Sequence, residues 1–319
     1  MGGYIARRVL LTVPVVLGVT LAVFLMLHFL PGDPVMMMLT EPASGVAPMT
    51  AEISAEMYQN MRREMGLDQP LSVQYGQFLL NAGRGNLGKS FRSGEPVLDL
   101  ILRNLPHTIV LTFASLGIAV LVGFFLGMVA AVKFGTWIDR LTMSISVVGV
   151  SMPSFWLGIM LLLVFALHLR LLPAVGVSAD WRSLVLPAVA LGFSASAIIA
   201  RLVRTSLIEV MQLDFVRTAR AKGAHEWVVI FKHVLANALI PVVTVVGLQF
   251  GSLLGGTVVV ETVFARPGIG SIAVGGIFNK DFPVVQGVVL FSALIYVVVN
   301  LLVDISYAWF DPRIRYETR

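Results

Sequence analysis

Four residue patterns in this chain suggest chemistry by residue type or spacing, and three of them fail. Gly83-Arg84-Gly85-Asn86-Leu87-Gly88-Lys89-Ser90 satisfies the G-x4-G-K-[ST] spacing of a phosphate loop, in which backbone amides and a lysine surround phosphate oxygens. Such a loop must leave a buried strand and open a helix. Here residues 74–82 have the apolar spacing of an amphipathic helix, and Phe91-Arg92-Ser93-Gly94-Glu95-Pro96 is turn-forming, so a turn is expected. His225-Glu226 begins like a zinc-binding H-E-x-x-H, yet valine stands at 229, where the second imidazole belongs one helical turn on. Gly149-Val150-Ser151 and Gly192-Phe193-Ser194 have the look of serine nucleophiles, but those need a histidine base at hydrogen-bond range. His28 and His168 lie near the ends of their hydrophobic stretches, where such side chains reach for water. No catalysis within this chain is expected.

The fourth pattern is Asp214-Phe215-Val216-Arg217-Thr218-Ala219-Arg220-Ala221-Lys222-Gly223. Arg217, Arg220 and Lys222 alternate with Ala219 and Ala221, so a short helix presents cations beside small, closely approachable positions. Gly223 is placed to end it in a left-handed cap. A basic loop also suits anionic lipid. The order of alanines and glycine, followed by Leu239-Ile240-Pro241, favours docking to a protein.

The elements that hold this loop are membrane helices. The chain has 319 residues, 57% of them hydrophobic and 13% charged, with a mean hydropathy of +0.87, which lies outside soluble-domain composition. A bilayer core takes about 20 apolar residues per helix. Six uncharged stretches meet or nearly meet that length: 9–30, 108–132, 141–169, 183–200, 234–260 and 284–303. The chain is therefore expected to be all-α and polytopic, with both termini on one side. Counted with the N-terminus inside, the inner segments carry thirteen Lys and Arg and the two short outer loops four, which gives an N-in, C-in arrangement. Those inner cations account for the net charge of +5 without nucleic acid. The first stretch exceeds a signal-peptide core and is followed by Leu30-Pro31-Gly32-Asp33 rather than a small-residue cleavage site, so it is expected to be retained. Absence of cysteine excludes disulfides and thiolate metal sites.

Two regions are expected: residues 1–104, a first span with an extracytoplasmic amphipathic segment, and residues 105–319, a five-helix core whose cytoplasmic loop covers about 204–233. Within the outer segment, residues 50–65, 70–82 and 96–105 have helical apolar spacing. Pro153 is expected to kink the third span, with nearby serines satisfying the freed carbonyl. Glycines such as Gly117, Gly123, Gly127, Gly149, Gly247, Gly251, Gly255 and Gly256 let helices approach closely. Glu261 and Asp304, at span ends, are expected to pair with a basic group or reach water. No internal inverted repeat is evident, and no acid is seen deep in a span. Both features tell against an ion-coupled secondary transporter.

Several motifs, taken in order, carry a family resemblance. They are Leu30-Pro31-Gly32-Asp33-Pro34, Gly66-Leu67-Asp68-Gln69-Pro70-Leu71, Gly85-Asn86-Leu87-Gly88-Lys89-Ser90, Arg217-Thr218-Ala219-Arg220-Ala221-Lys222-Gly223, Pro267-Gly268-Ile269-Gly270 and Asp311-Pro312-Arg313-Ile314-Arg315-Tyr316. Over essentially its whole length the chain resembles the permease subunits of dipeptide, oligopeptide and nickel-class ABC importers, and is most similar to dipeptide and glutathione permeases. It departs from the general coupling motif, which begins Glu-Ala-Ala where this chain has Arg217-Thr218-Ala219, and carries Asn86 where the family usually has aspartate.

The resemblance implies a type I importer permease of the bacterial inner membrane, translocating peptides, with a nickel-chelate cargo as the alternative. It implies a second homologous permease, two cytoplasmic ATPases that carry ATP and magnesium, an extracytoplasmic binding protein and surrounding lipid, with no cofactor or metal in this chain. ATPase coupling falls to Arg217, Ala219, Arg220, Ala221, Lys222 and Gly223. Uncharged polar residues on spans three to five, namely Ser151, Ser154, Ser194, Thr244 and Gln249, are candidates for the translocation path. A membrane scaffold without transport is the remaining reading of a different class.

Overall fold

The computed structural model describes residues 2–29, 35, 55–64, 67–174 and 181–310. Apart from one isolated bridge between Lys89 and Pro96, the regular structure among the described residues is helical. Helices α1 (Gly2–Phe29), α2 (Ala55–Glu64) and α3 (Leu71–Gly83) precede the long α4 (Val97–Val132). Next come α5 (Trp137–Ser151), α6 (Ser154–His168), α7 (Arg182–Met211) and the short α8 (Asp214–Ala221). The chain then forms α9 (Glu226–Val263), α10 (Ile269–Phe278) and α11 (Phe282–Phe310). Among the described residues five helices are long and apolar enough to cross a bilayer, and six spans result if the bent pair α5 and α6 counts as one.

That pair corrects the expected kink. Pro153 gives not a bent helix but a break, with α5 and α6 at 104° to each other. Met152 and Pro153 are both extended, at ψ 124° and 134°, since the residue before a proline is pushed out of the helical region. Ser151 donates to the Val147 carbonyl four residues back at 3.0 Å and so bridges nothing across the break. Residues 96–105 lead into the second span as expected: α4 begins at Val97 and runs unbroken through Pro106 for 36 residues, about 54 Å at the helical rise.

The chain divides into two compact units. The first contains residues 1–5, 107–267 and 298–319; the second contains 6–106 and 268–297. In the first unit α7 is the central helix: 67% of its apolar window is buried, against 17–33% for the other four long helices. Its sequence explains this, because Ala188, Ala190, Ala195, Ala197 and Ala200 are all buried and leave room for neighbouring backbones. Gly123 and Gly127 of α4 lie against it so closely that an added Cβ would stand 2.6 Å from the Ser196 carbonyl oxygen and 2.5 Å from that of Ala200. Gly192 returns the contact, since a Cβ added there would stand 2.5 Å from the Ser115 carbonyl oxygen. From α5, a Cβ added at Gly149 would stand 3.1 Å from Ala197 and 3.2 Å from Phe193. Not every glycine serves this purpose, for Gly117 and Gly255 face open space.

The second unit is built on Val97, Ile101, Ile269, Ala273, Val284 and Val288. Its outer turn is pinned by Asp281, a buried carboxylate that accepts from Ser90 Oγ at 2.5 Å and from the Phe91 amide at 3.1 Å. Gly85 and Gly88 have φ of +77° and +84°, and α3, a helix, enters the turn. The phosphate-loop spacing thus describes two left-handed glycines in an outer turn, as the residues around it imply.

Candidate coupling site

The basic loop folds as a short helix closed at its C-terminus by a left-handed cap. Leu213 is extended at φ −73°, ψ 149°, and Asp214 stands in the first turn, where a carboxylate opposes the positive end of the helix dipole. Thr218 Oγ1 donates to the Asp214 carbonyl at 2.9 Å. At the other end Gly223 adopts φ +78°. Its amide donates to Arg220 O at 2.9 Å and the Ala224 amide to Ala219 O at 3.3 Å. These two bonds close the left-handed cap that satisfies the last carbonyls of a helix. His225 is extended again and α9 starts at Glu226, so two helices meet across four residues.

Two contacts fix α8 in place. Val216 is fully buried in the hydrophobic core of the first unit, which also holds Val229 and Val234. Arg220 makes a two-pronged ion pair with Glu226, Nη2 to Oε1 at 2.6 Å and Nε to Oε2 at 3.1 Å, which raises the guanidinium above its already high ordinary value. Arg217, Ala221, Lys222 and Gly223 face solvent, while Ala219 is half-buried and packs on the core.

This arrangement alters two sequence expectations. Ala219 belongs to the inner face with Val216, so the small exposed positions are Ala221 and Gly223. Arg220 stays exposed but is held by Glu226, and Arg217, also exposed, stands 3.8 Å from Asp214. Sequence reading missed Glu226 and a set of exposed aromatics. Phe215, Trp227 and Phe231 are exposed, and the last two stack with ring centroids 5.7 Å apart. Their i, i+4 spacing was the available signal.

The expected path residues are spread over α5 (Ser151), α6 (Ser154), α7 (Ser194) and α9 (Thr244, Gln249). Among the described residues no hydrogen bond joins any two of them. Ser151 and Thr244 bond to carbonyls of their own helices, as hydroxyls in membrane helices commonly do. For Glu261, reaching water, one of its two expected outcomes, does not hold. It is wholly buried and accepts from Thr108 Oγ1 at 2.6 Å, so it does not reach water. Arg266, just beyond α9, is buried with no hydrogen-bond partner at Nε. Burial pushes its guanidinium below the ordinary value, partly opposed by the Glu261 charge. The Asp304 side chain and the motifs at 30–34 and 311–316 lie outside the described residues.

Residues 123–316 match the family described as "Binding-protein-dependent transport system inner membrane component", and residues 1–112 match the N-terminal family of the same membrane component. The chain belongs to this permease family. The dipeptide transport system permease protein DppB of Alkalihalophilus pseudofirmus is 40% identical over 99% of this chain and 100% of its own length. The glutathione transport system permease protein GsiC of Escherichia coli K12 is 42% identical over the same shares. Among solved structures, inward-facing forms of the MetNI methionine ABC transporter match 66% of the permease and 96% of their own chain at 20% identity, with TM-scores of 0.56 and 0.57. That likeness shows the fold. The permease is thus a multi-pass protein of the inner membrane and the translocating component of a binding-protein-dependent transport system.

Proposed function

We propose that this permease imports short peptides or glutathione-like compounds, and that it is driven by two separate ATPases seated on α8. A second, homologous permease completes the pore, and an extracytoplasmic binding protein delivers the cargo. The observation that carries the reading is α8 itself. Val216 and the Arg220–Glu226 pair hold it rigid, and it offers Arg217, Ala221, Lys222 and Gly223 outward as a compact cationic ridge. The likeness to peptide and glutathione permeases over the full length supports the cargo. Family membership, rather than a lack of buried acids, now separates the permease from proton-driven carriers, since Glu261 is such an acid. The polar residues Ser151, Ser154, Ser194, Thr244 and Gln249 remain the proposed path.

The test is a reconstituted complex of the permease pair, ATPases and binding protein in vesicles. Binding protein loaded with dipeptide or glutathione should stimulate ATP hydrolysis and ATP-dependent uptake of that cargo. Uptake that follows an imposed proton gradient without ATP would contradict the reading.

A further inference from the structure

A second ionic arrangement sits deeper than the coupling ridge. Asp139, in the first turn of α5, accepts from Arg204 of α7 through both oxygens, Nε to Oδ1 at 2.6 Å and Nη2 to Oδ2 at 2.8 Å. The carboxylate is 6% exposed and the guanidinium 23%. The Gly135 amide also donates to Asp139 Oδ2, at 3.1 Å, and the Arg204 guanidinium lies 5.2 Å from the centre of the Phe134 ring. One arginine thereby ties α7 to the 133–136 turn and to the start of α5.

Its position on α7 matters. Arg204 lies seven residues before the end of that helix at Met211, about 10 Å along the axis, and α8 follows after only Gln212 and Leu213. On its other side α7 is dovetailed to α4 through Gly123, Gly127 and Gly192, contacts too close to slide. A displacement of α8 is therefore passed to α7 and α4 as one body. The planar two-pronged arginine pair, with its fixed geometry, is what fastens α5 to that body, and beyond α5 lies the 104° break into α6.

We propose that Asp139 and Arg204 are positioning residues that transmit movement of the coupling helix to the broken span α5–α6, so that transport, and not merely assembly, depends on the pair. This rests on the reading that ATPases act through α8. An exposed ion pair would add little, but one that is mostly buried cannot lose a partner without leaving a desolvated charge.

The test uses the complete reconstituted complex and three readouts: ATPase co-purification, ATP hydrolysis and cargo transported per ATP. Asp139→Asn and Arg204→Lys each keep the size of the side chain but lose the charge or the fork. Both should retain bound ATPase and hydrolysis while transport per ATP falls about tenfold, within the usual range of coupling free energies. Exchanging the charges in Asp139→Arg with Arg204→Asp should recover most of the loss shown by either reversal alone. An unchanged ratio in Arg204→Lys, whose charge keeps the site from collapsing, overturns the proposal. So does a loss confined to the amount of assembled complex. Gly223→Val run alongside separates the two readings. Loss of ATPase from Gly223→Val with a normal ratio in the Arg204 variant removes only the transmission role, whereas full docking and transport in Gly223→Val removes the docking surface itself.

Discussion

Single residues decide how α8 ends and how the outer turn is held. Gly223, at φ +78°, has no neighbour within 4 Å of an added Cβ, so a substitution there is opposed by backbone conformation and not by space. Gly223→Val should cost about 1–2 kcal/mol for the left-handed conformation, unwinding the cap; transport should fall several-fold while membrane insertion persists, measurable as uptake against protein in the membrane fraction. That glycine was legible in the sequence because a left-handed cap has a strong residue preference. The inward turn of Ala219 was legible too, being three residues from buried Val216, but alternation along the chain was read in place of helical phase. The Arg220–Glu226 pair was not, since it spans a reversal between two helices that no fixed spacing encodes. At the outer turn, Asp281→Ala would leave Ser90 Oγ and the Phe91 amide without their acceptor, at about 1–3 kcal/mol for a buried group left unsatisfied. The turn should become more susceptible to protease added from outside; unaltered cleavage would show that Asp281 does not hold it.

Between helices, the glycines divide into those that meet a backbone and those that meet nothing. Gly127→Ala places a Cβ 2.5 Å from the Ala200 carbonyl oxygen, and Gly117→Ala places one in open space. The first should cost about 1–3 kcal/mol through overpacking and the second less than about 0.5 kcal/mol. Thermal or detergent challenge of the two purified variants compares them directly, and equal stability would contradict the α4–α7 dovetail. Sequence alone marks both positions as small residues in a span; it cannot tell them apart, because the distinction depends on the rotation of each helix against its neighbour. The same holds for α5–α6. Proline at 153 announced a disturbance, but whether the chain bends or breaks depends on what the two pieces pack against: a Cβ added at Gly149 would stand 3.1 Å from Ala197, and one at Gly158 3.0 Å from Phe264.

Across the whole molecule, hydropathy and charge bias sufficed for the all-helical, multi-span architecture, because bilayer thickness and the inward bias of cations impose rules that each segment obeys independently. Burial of Glu261 and Arg266 escaped them: a residue at the end of an apolar stretch meets water or protein according to the fold around it. Sidedness is the claim on which all else depends, since α8 can meet an ATPase only from inside. The chain has no cysteine, so one introduced thiol is unique. With an impermeant thiol reagent applied to cells whose inner membrane is intact, Asn86→Cys should be labelled, and Lys222→Cys should be labelled only after that membrane is opened. Labelling of Lys222→Cys from outside, with Asn86→Cys protected, would place the basic loop beyond the reach of any cytoplasmic ATPase and contradict the account.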